Sequence, residues 1–139
     1  MRWGTEVTGA AERHLAQCRM VGTITPSGNT VVERITLGIA RELPEVSMHF
    51  SRTPVSGARD PSPDRYAEEG LLAAARLLAD AAPEILVWNG SKGAGIGFAH
   101  DRALVQAIEA ATGIPATTSM LGLVDALGGR GLRRIAVVT

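Results

Sequence analysis

Two hydrophobic patterns alternate along the chain and predict its secondary structure. Short β-rich or wholly apolar runs, bounded by glycine and proline, are typical of strands. Between them, apolar residues recur at the three- and four-residue spacing of a helix, and the first such stretch ends at Pro44. Strands that alternate with helices predict an α/β fold, with a parallel sheet of about five strands and helices on both faces. The predicted strands are 20–25, 46–50, 84–88, 114–118 and 133–139, and the helical faces are Val32, Ile35, Ile39 and Leu43; Leu71, Leu72, Ala75, Leu78 and Ala79; Leu104, Ala107, Ile108 and Ala111; and Met120, Leu123, Val124 and Leu127.

The two ends of the sequence differ from its middle. Residues 1–18 precede the first predicted strand and have weak helical character, so we interpret them as an N-terminal extension of one α/β domain, 19–139. The last predicted strand ends the sequence, whereas domains usually end in a docked helix or a loose tail. We therefore expect the chain to be the first part of something longer. The alternative is a complete domain with a C-terminal strand.

Composition narrows the classes of function. The 14 basic and 14 acidic side chains cancel, which gives no electrostatic footprint for nucleic acid or an anionic membrane. No apolar stretch approaches the length of about 20 residues that a membrane helix needs, and the N-terminus has no secretory signal pattern. The single cysteine, Cys18, excludes an internal disulfide, and three scattered histidines offer no metal-ligand spacing. A cytoplasmic protein without a metal or cofactor is the expectation.

The loop after the first strand carries candidate chemistry. Ligands of open α/β sheets bind beyond the carboxyl ends of the strands, where the segment Pro26-Ser27-Gly28-Asn29 lies and a helix begins. Free amides in the first turn of a helix, together with its positive dipole end, favour an anion. A simple cap by Ser27 or Asn29 is the alternative, and spacing alone favours it.

Two further strand ends carry candidate residues. The glycine-rich stretch 89–97 follows the most buried predicted strand, and its backbone amides could form an oxyanion hole; a flexible turn is the alternative. The stretch does not match the GxGxxG dinucleotide fingerprint, and Lys92 precedes the glycines instead of following them as in a Walker loop. The hydroxyls of 117–119 could cap a helix or hold a carboxylate, and capping is the favoured alternative.

Four segments in order resemble one enzyme group. The first resembles the opening of the maleate isomerase and arylmalonate decarboxylase group, hydrophobic–Gly–x–x–x–Pro–Ser–x–Asn–Thr, and the second the tip of its third strand. The third is similar to its ATG-hydrophobic-P-x-TT-S segment, and the fourth to a strand that precedes Pro-Tyr. The resemblance covers about residues 20–139. The four segments are Val21-Gly22-Thr23-Ile24-Thr25-Pro26-Ser27-Gly28-Asn29-Thr30, Val87-Trp88-Asn89-Gly90-Ser91, Ala111-Thr112-Gly113-Ile114-Pro115-Ala116-Thr117-Thr118-Ser119 and Arg133-Arg134-Ile135-Ala136-Val137-Val138-Thr139.

The resemblance implies the cofactor-independent aspartate/glutamate racemase superfamily. Its members pair two pseudo-symmetric α/β halves around a site for chemistry next to a carboxylate, and this chain would be the first half. Racemases use one cysteine from each half; the decarboxylase uses a single cysteine from the second half. Here the first-half cysteine position falls on Asn89, or on Gly90 with a shift of one residue. The chain therefore resembles the decarboxylase-like branch, with its proton carrier outside these residues.

The resemblance also implies roles for individual residues. Pro26, Ser27 and Asn29 would hold one carboxylate of a small, maleate- or malonate-like dicarboxylate. Asn89, Gly90 and Ser91 would form the catalytic oxyanion site. Thr118 and Ser119 would contact a second carboxylate or orient their loop. A non-catalytic domain that binds small carboxylates and a nucleotide-binding α/β domain remain alternatives, and association into a homo-oligomer is left open.

Overall fold

A computed structural model describes residues 18–55, 67–90 and 93–136. Four strands and four helices of nine or more residues alternate along them, with one single-turn helix after the third strand. The strands are β1 (Arg19–Pro26), β2 (Val46–Thr53), β3 (Ile85–Trp88) and β4 (Ala116–Thr118); the helices are α1 (Val32–Ala40), α2 (Glu68–Ala79), α3 (Gly93–Ile96), α4 (Phe98–Thr112) and α5 (Ser119–Gly129).

The strands form one parallel sheet in the order β2-β1-β3-β4. Neighbouring residues of a strand point to opposite faces of its sheet. At the end of β2, Arg52 pairs with Glu33 of α1, whereas Thr53 lies against Gly70 of α2. Helices α1 and α2 therefore cover opposite faces, as right-handed crossovers in opposite directions require. The prediction of a parallel α/β sheet with helices on both faces is confirmed.

The core lies on the α2 and α4 side of the sheet. Ile24, Leu86 and Trp88 are fully buried there. Leu71, Ala75 and Leu78, spaced at three and four residues on α2, pack into the same cluster together with Leu104 and Ile108 of α4. The helical spacing of apolar residues therefore predicted the buried face of α2, because this helix packs on β1 and β2.

Helix α1 departs from the prediction. Of its predicted apolar face, Val32 is half-buried, but the other three residues are exposed. Together with the neighbouring Val31 at 57%, the exposed residues are Ile35 at 58%, Ile39 at 61% and Leu43 at 42%. The helix instead rests on β2, and no residue within its bounds is fully buried. The described residues therefore leave an apolar helix face uncovered.

The sheet has four described strands instead of about five. Arg133–Ala136 belongs to no strand and is exposed, with Ile135 at 61%, while 137–139 lie outside the described residues. After α5 the chain turns at Gly131, where φ is +68°. An apolar run forms a strand only where its backbone reaches a hydrogen-bonding edge, and 133–136 does not pair with β4. The predicted N-terminal extension also lies outside the described residues, except for Cys18.

In the described ranges, no helix is both long enough and apolar enough to cross a membrane.

Candidate functional site

The order of the strands places a crevice between the ends of β1 and β3. The chain leaves β1 toward β2 on one side and reaches β3 on the other, so the strand order reverses between these two neighbours. Ligands of open α/β sheets bind at such a switch point, beyond the carboxyl ends of the strands. The Asn89 amide donates to the Ile24 carbonyl over 2.9 Å, which sets the two loops side by side.

The loop after β1 is tied to the end of β2. The Ser27 amide donates to the Thr53 carbonyl over 2.8 Å, and the Ser27 hydroxyl accepts from the Val55 amide over 3.2 Å. The Asn29 amide closes a turn onto the Pro26 carbonyl at 2.9 Å. Because its hydroxyl oxygen already accepts one hydrogen bond, Ser27 can offer its O–H hydrogen to a ligand.

Asn29 caps the first turn of α1. Its Oδ1 accepts from the amides of Val31 and Val32 over 2.9 and 3.0 Å. Two of the amides that could have bound an anion are therefore satisfied within the chain, in the geometry of an N-cap. Within the described residues the side-chain NH2 of Asn29 has no partner, so this NH2 is the group that can reach a ligand.

Substitutions at Asn29 separate its capping from its proposed binding role. Asn29→Ala removes the cap, and we expect the free energy of unfolding to fall by about 1 kcal/mol. Asn29→Asp keeps the capping oxygen but loses the NH2 donor, so stability should stay within about 0.5 kcal/mol while carboxylate affinity falls roughly tenfold. Chemical denaturation and calorimetry measure the two effects. Equal carboxylate affinity in Asn29→Asp and the parent chain would contradict a binding role for Asn29.

Arg52 is a residue that the sequence analysis missed. Its Nη1 donates to the Ser27 and Asn29 carbonyls over 2.8 and 3.1 Å, and its Nη2 pairs with Glu33 at 2.9 Å. The side chain is 39% exposed. Arg52 therefore fixes the β1 loop, and its positive charge there is paired with Glu33. The available signal was its place just after the predicted strand 46–50, at the carboxyl end of β2.

The β3 end is shaped by contact between Gly90 and Trp88. Gly90 is buried, and a Cβ built on it would stand 2.5 Å from Cε2 and 2.6 Å from Nε1 of the Trp88 indole. No side chain fits there without movement of the ring. Asn89 is half-buried, and in the described part of the chain its side chain has no hydrogen-bond partner. Ser91, the other predicted oxyanion residue, lies outside the described residues.

Thr118 and Ser119 are both engaged within the protein. Thr118 is 1% exposed; its hydroxyl donates to Asp101 Oδ2 over 2.6 Å and accepts from the Leu121 amide over 3.1 Å. Ser119 donates to the Gly90 carbonyl at 3.5 Å, the long limit of a hydrogen bond. Capping of α5 by Thr118 agrees with the favoured alternative. Of the two predicted roles of this pair, orientation of the loop matches the geometry better than contact with a second carboxylate.

Asp101 links the loops after β3 and β4. It is 1% exposed, and no residue described in the structure donates to its Oδ1. Gly93 lies so close that a Cβ on it would collide with Oδ1 and stand 2.8 Å from Oδ2. The predicted glycine-rich stretch 89–97 contains the single-turn helix α3, which starts at Gly93. The sequence analysis did not single out Asp101, because its partner Thr118 is 17 residues away along the chain.

Three side chains with N–H donors lie at the carboxyl ends of the first three strands. Asn29 follows β1 and Asn89 follows β3, whereas Arg52 is at the end of β2, on the far side of β1 from β3, and pairs with Glu33. Cys18 precedes β1 and therefore lies at the amino ends of the strands. At 3.3 Å per residue, it is about 25 Å from their carboxyl ends. The described residues contain no group of three His, Cys, Asp or Glu side chains that could hold a metal ion.

Comparison with known proteins finds similarity at the level of structure. No protein-family model and no curated protein sequence matches the chain. A crystal structure of arylmalonate decarboxylase is similar with a TM-score of 0.61 and 24% identity, over 81% of this chain and 48% of that one. A structure of unliganded arylmalonate decarboxylase is similar with a TM-score of 0.63 and 23% identity, over 81% of this chain and 47% of that one.

A third structure is a liganded arylmalonate decarboxylase mutant in which a glycine is replaced by cysteine and a cysteine by serine. It gives a TM-score of 0.67 and 25% identity, over 85% of this chain and 49% of that one. The chain thus spans about half the length of these structures. Over that half, it has the racemase-like α/β fold of arylmalonate decarboxylase.

Proposed function

We propose that the crevice between the β1 and β3 tips binds a small dicarboxylate. The observation that carries this proposal is that the loops bearing Asn29 and Asn89 lie side by side at the switch point of the sheet, where ligands of open α/β folds bind. The Asn29 NH2 and the Ser27 hydroxyl donate to one carboxylate, and Arg52, whose own charge is paired with Glu33, holds the loop that carries them. The similarity to arylmalonate decarboxylase favours a carboxylate over other anions.

The chemistry that this site would serve is cofactor-independent reaction at the carbon next to a carboxylate, as in a decarboxylase or isomerase. In a decarboxylation of this kind, the bond to the departing CO2 breaks and its electron pair moves onto the remaining carboxylate, which becomes an enediolate. Donors preorganised at that oxygen lower the barrier. Gly90 and Ser91 are proposed for this role, with Asn89 beside them and Ser119 holding the Gly90 carbonyl.

We infer that the proton that ends the reaction comes from a group other than the described crevice residues. Cys18 lies at the amino ends of the strands, away from the crevice. The described side chains at the crevice carry amide, hydroxyl and guanidinium groups. We therefore propose that residues 19–139 form one α/β half of a two-half enzyme and that this half alone does not turn over substrate. The half supplies the carboxylate clamp and the oxyanion site.

A non-catalytic carboxylate-binding domain is the second candidate. The favouring observation is that several residues with catalytic potential serve the fold: Asn29 Oδ1 caps α1, and the Thr118 hydroxyl holds Asp101 and caps α5. Such a domain would bind the same ligands without decarboxylating them. The two candidates share the clamp and differ only in the chemistry.

Titration calorimetry tests the binding that both candidates require. We expect malonate and maleate to bind, acetate to bind more weakly because it has one carboxylate, and ATP and NAD to give no heat of binding. If nucleotides bind and dicarboxylates do not, the carboxylate proposal is wrong and the nucleotide-binding alternative holds. CO2 release then distinguishes an enzyme from a binding domain. It is measured after the chain with bound malonate is mixed with a second α/β half, and a binding domain releases none.

A further inference from the structure

Asp101 is a buried charge that the proposed chemistry does not use. Among the described residues it is the only charged side chain that is fully buried, at 1% exposed. It forms no ion pair with any of them, and the one hydrogen bond that its carboxylate accepts there comes from Thr118. Taking a carboxylate out of water costs more free energy than one hydrogen bond contributes. Natural sequences keep such a cost mainly where function requires it.

We propose that Asp101 is a positioning residue that fixes Gly90 at the end of β3. The purpose of this positioning, an oxyanion site at Gly90, rests on the proposed function. The positioning itself is measurable in the free chain, so the two can fail separately. Two contacts of the carboxylate carry the inference: the hydrogen bond from Thr118 and the close approach of Gly93.

The hydrogen bond from Thr118 leads to Gly90 through the next residue. The Thr118 hydroxyl donates to Asp101 Oδ2 over 2.6 Å, a short distance typical of a hydrogen bond to a charged acceptor. The same hydroxyl oxygen accepts from the Leu121 amide over 3.1 Å, so Asp101 orients the cap of α5. Ser119, the first residue of α5, donates to the Gly90 carbonyl at 3.5 Å. A shift of Thr118 therefore moves the group that contacts Gly90.

The contact with Gly93 reaches the same stretch of chain from the other side. Gly93 is buried, and a Cβ on it would collide with Asp101 Oδ1 and stand 2.8 Å from Oδ2. The φ angle of Gly93 is not positive, so close packing, and not backbone conformation, requires glycine here. Asp101 thus fixes the start of α3 relative to the end of β4. Gly90 lies three residues before α3 and is contacted by the first residue after β4.

A purely structural role of Asp101 makes a different prediction. Asp101 lies in the first turn of α4, where a negative charge interacts favourably with the helix dipole. In that role the charge matters, so Asp101→Asn and Asp101→Ala should act alike. In the positioning role the acceptor oxygen matters, and Asp101→Asn keeps one for the Thr118 hydroxyl.

Backbone NMR of the free full-length chain tests the positioning. Gly90 is a sensitive probe because it lies against the Trp88 indole, whose ring current shifts nearby protons. We expect the Gly90 resonances to move in Asp101→Ala, which removes the carboxylate, and in Gly93→Ala, which displaces it. Asp101→Asn should leave them near their parent positions. Gly95→Ala is the matched control for Gly93→Ala, because Gly95 is also in α3 and a Cβ on it meets no atom within 4 Å.

Malonate affinity in the same variants connects the positioning to the proposed function. At a temperature where all variants are folded, Asp101→Ala and Gly93→Ala should weaken malonate binding about tenfold. Asp101→Asn and Gly95→Ala should bind malonate as the parent does. Because the comparison is made in folded chains, a loss of stability alone would not move the affinity.

Two results would overturn the positioning. One is a Gly93→Ala chain whose Gly90 resonances stay at the parent positions, and the other is an equal displacement in Asp101→Asn and Asp101→Ala. If Asp101→Ala does not fold, Gly93→Ala and Asp101→Asn still decide the question. If the parent chain itself does not bind malonate, the proposed function is wrong, and the Gly90 resonances still decide the role of Asp101.

Discussion

Trp88→Ala is expected to lower the free energy of unfolding by about 3–5 kcal/mol, the range for a large buried aromatic residue. Trp88 is fully buried at the end of β3 and packs into the core on the α2 and α4 face. Its indole also supports Gly90, so removing it leaves both a cavity and an unsupported loop. Because the total free energy of unfolding of a domain is about 5–15 kcal/mol, this loss is a large fraction of it. Urea denaturation measures the change.

Leu77→Ala is the matched control for Trp88→Ala. Leu77 is 68% exposed, so its truncation should change the free energy of unfolding by less than about 0.5 kcal/mol. Trp88→Ala should also weaken malonate binding, because Gly90 loses the surface that positions it. A Trp88→Ala chain as stable as Leu77→Ala would contradict the assignment of Trp88 to the core.

Gly90→Cys is expected to destabilise the protein by about 1–3 kcal/mol, whereas Asn89→Cys should cost less than about 1 kcal/mol. The difference follows from the Trp88 ring, which stands 2.5 Å from the position of a Cβ on Gly90. Asn89 already carries a side chain, half-buried and without a described partner. The two substitutions place a thiol at the two alternative positions of the racemase first-half cysteine.

A double-substitution cycle checks the physical cause. If the indole causes the clash, Gly90→Cys should cost much less in a Trp88→Ala background, because the cavity accepts the new side chain. Gly95→Ala is the control for a glycine with open space, since a Cβ there meets no atom within 4 Å. Gly90→Cys as stable as the parent would show that the loop can move away from Trp88. A racemase-type thiol would then fit at that position as well as at Asn89.

Much of the fold follows from the sequence because the determining forces are local. The three- and four-residue spacing of Leu71, Ala75 and Leu78 predicts a helix with a buried face, and the apolar run before Asn89 predicts a central strand. The same periodicity failed for α1. Spacing shows that a helix has an apolar face, but it does not show which segment covers that face.

The site was only partly predictable for a related reason. The strand-end rule located Asn29, Asn89 and Thr118 at the right edge of the sheet. This rule does not distinguish capping from ligand binding, because both need the same residue types. Asn29 Oδ1 and the Thr118 hydroxyl accept hydrogen bonds from helix amides. Arg52 and Asp101 act through partners 25 and 17 residues away, contacts that only the folded chain creates.

Backbone NMR with a dicarboxylate titration tests the central claim most directly. We expect malonate to shift amide resonances of the β1 loop, from Ser27 to Val32, together with those of Asn89 and Gly90, and to leave the α1 residues Ile35 and Ile39 unchanged. Asn29→Asp should reduce the shifts at the same malonate concentration. Saturable shifts confined to another part of the domain, or none at millimolar malonate, would contradict a carboxylate site at the β1 and β3 tips.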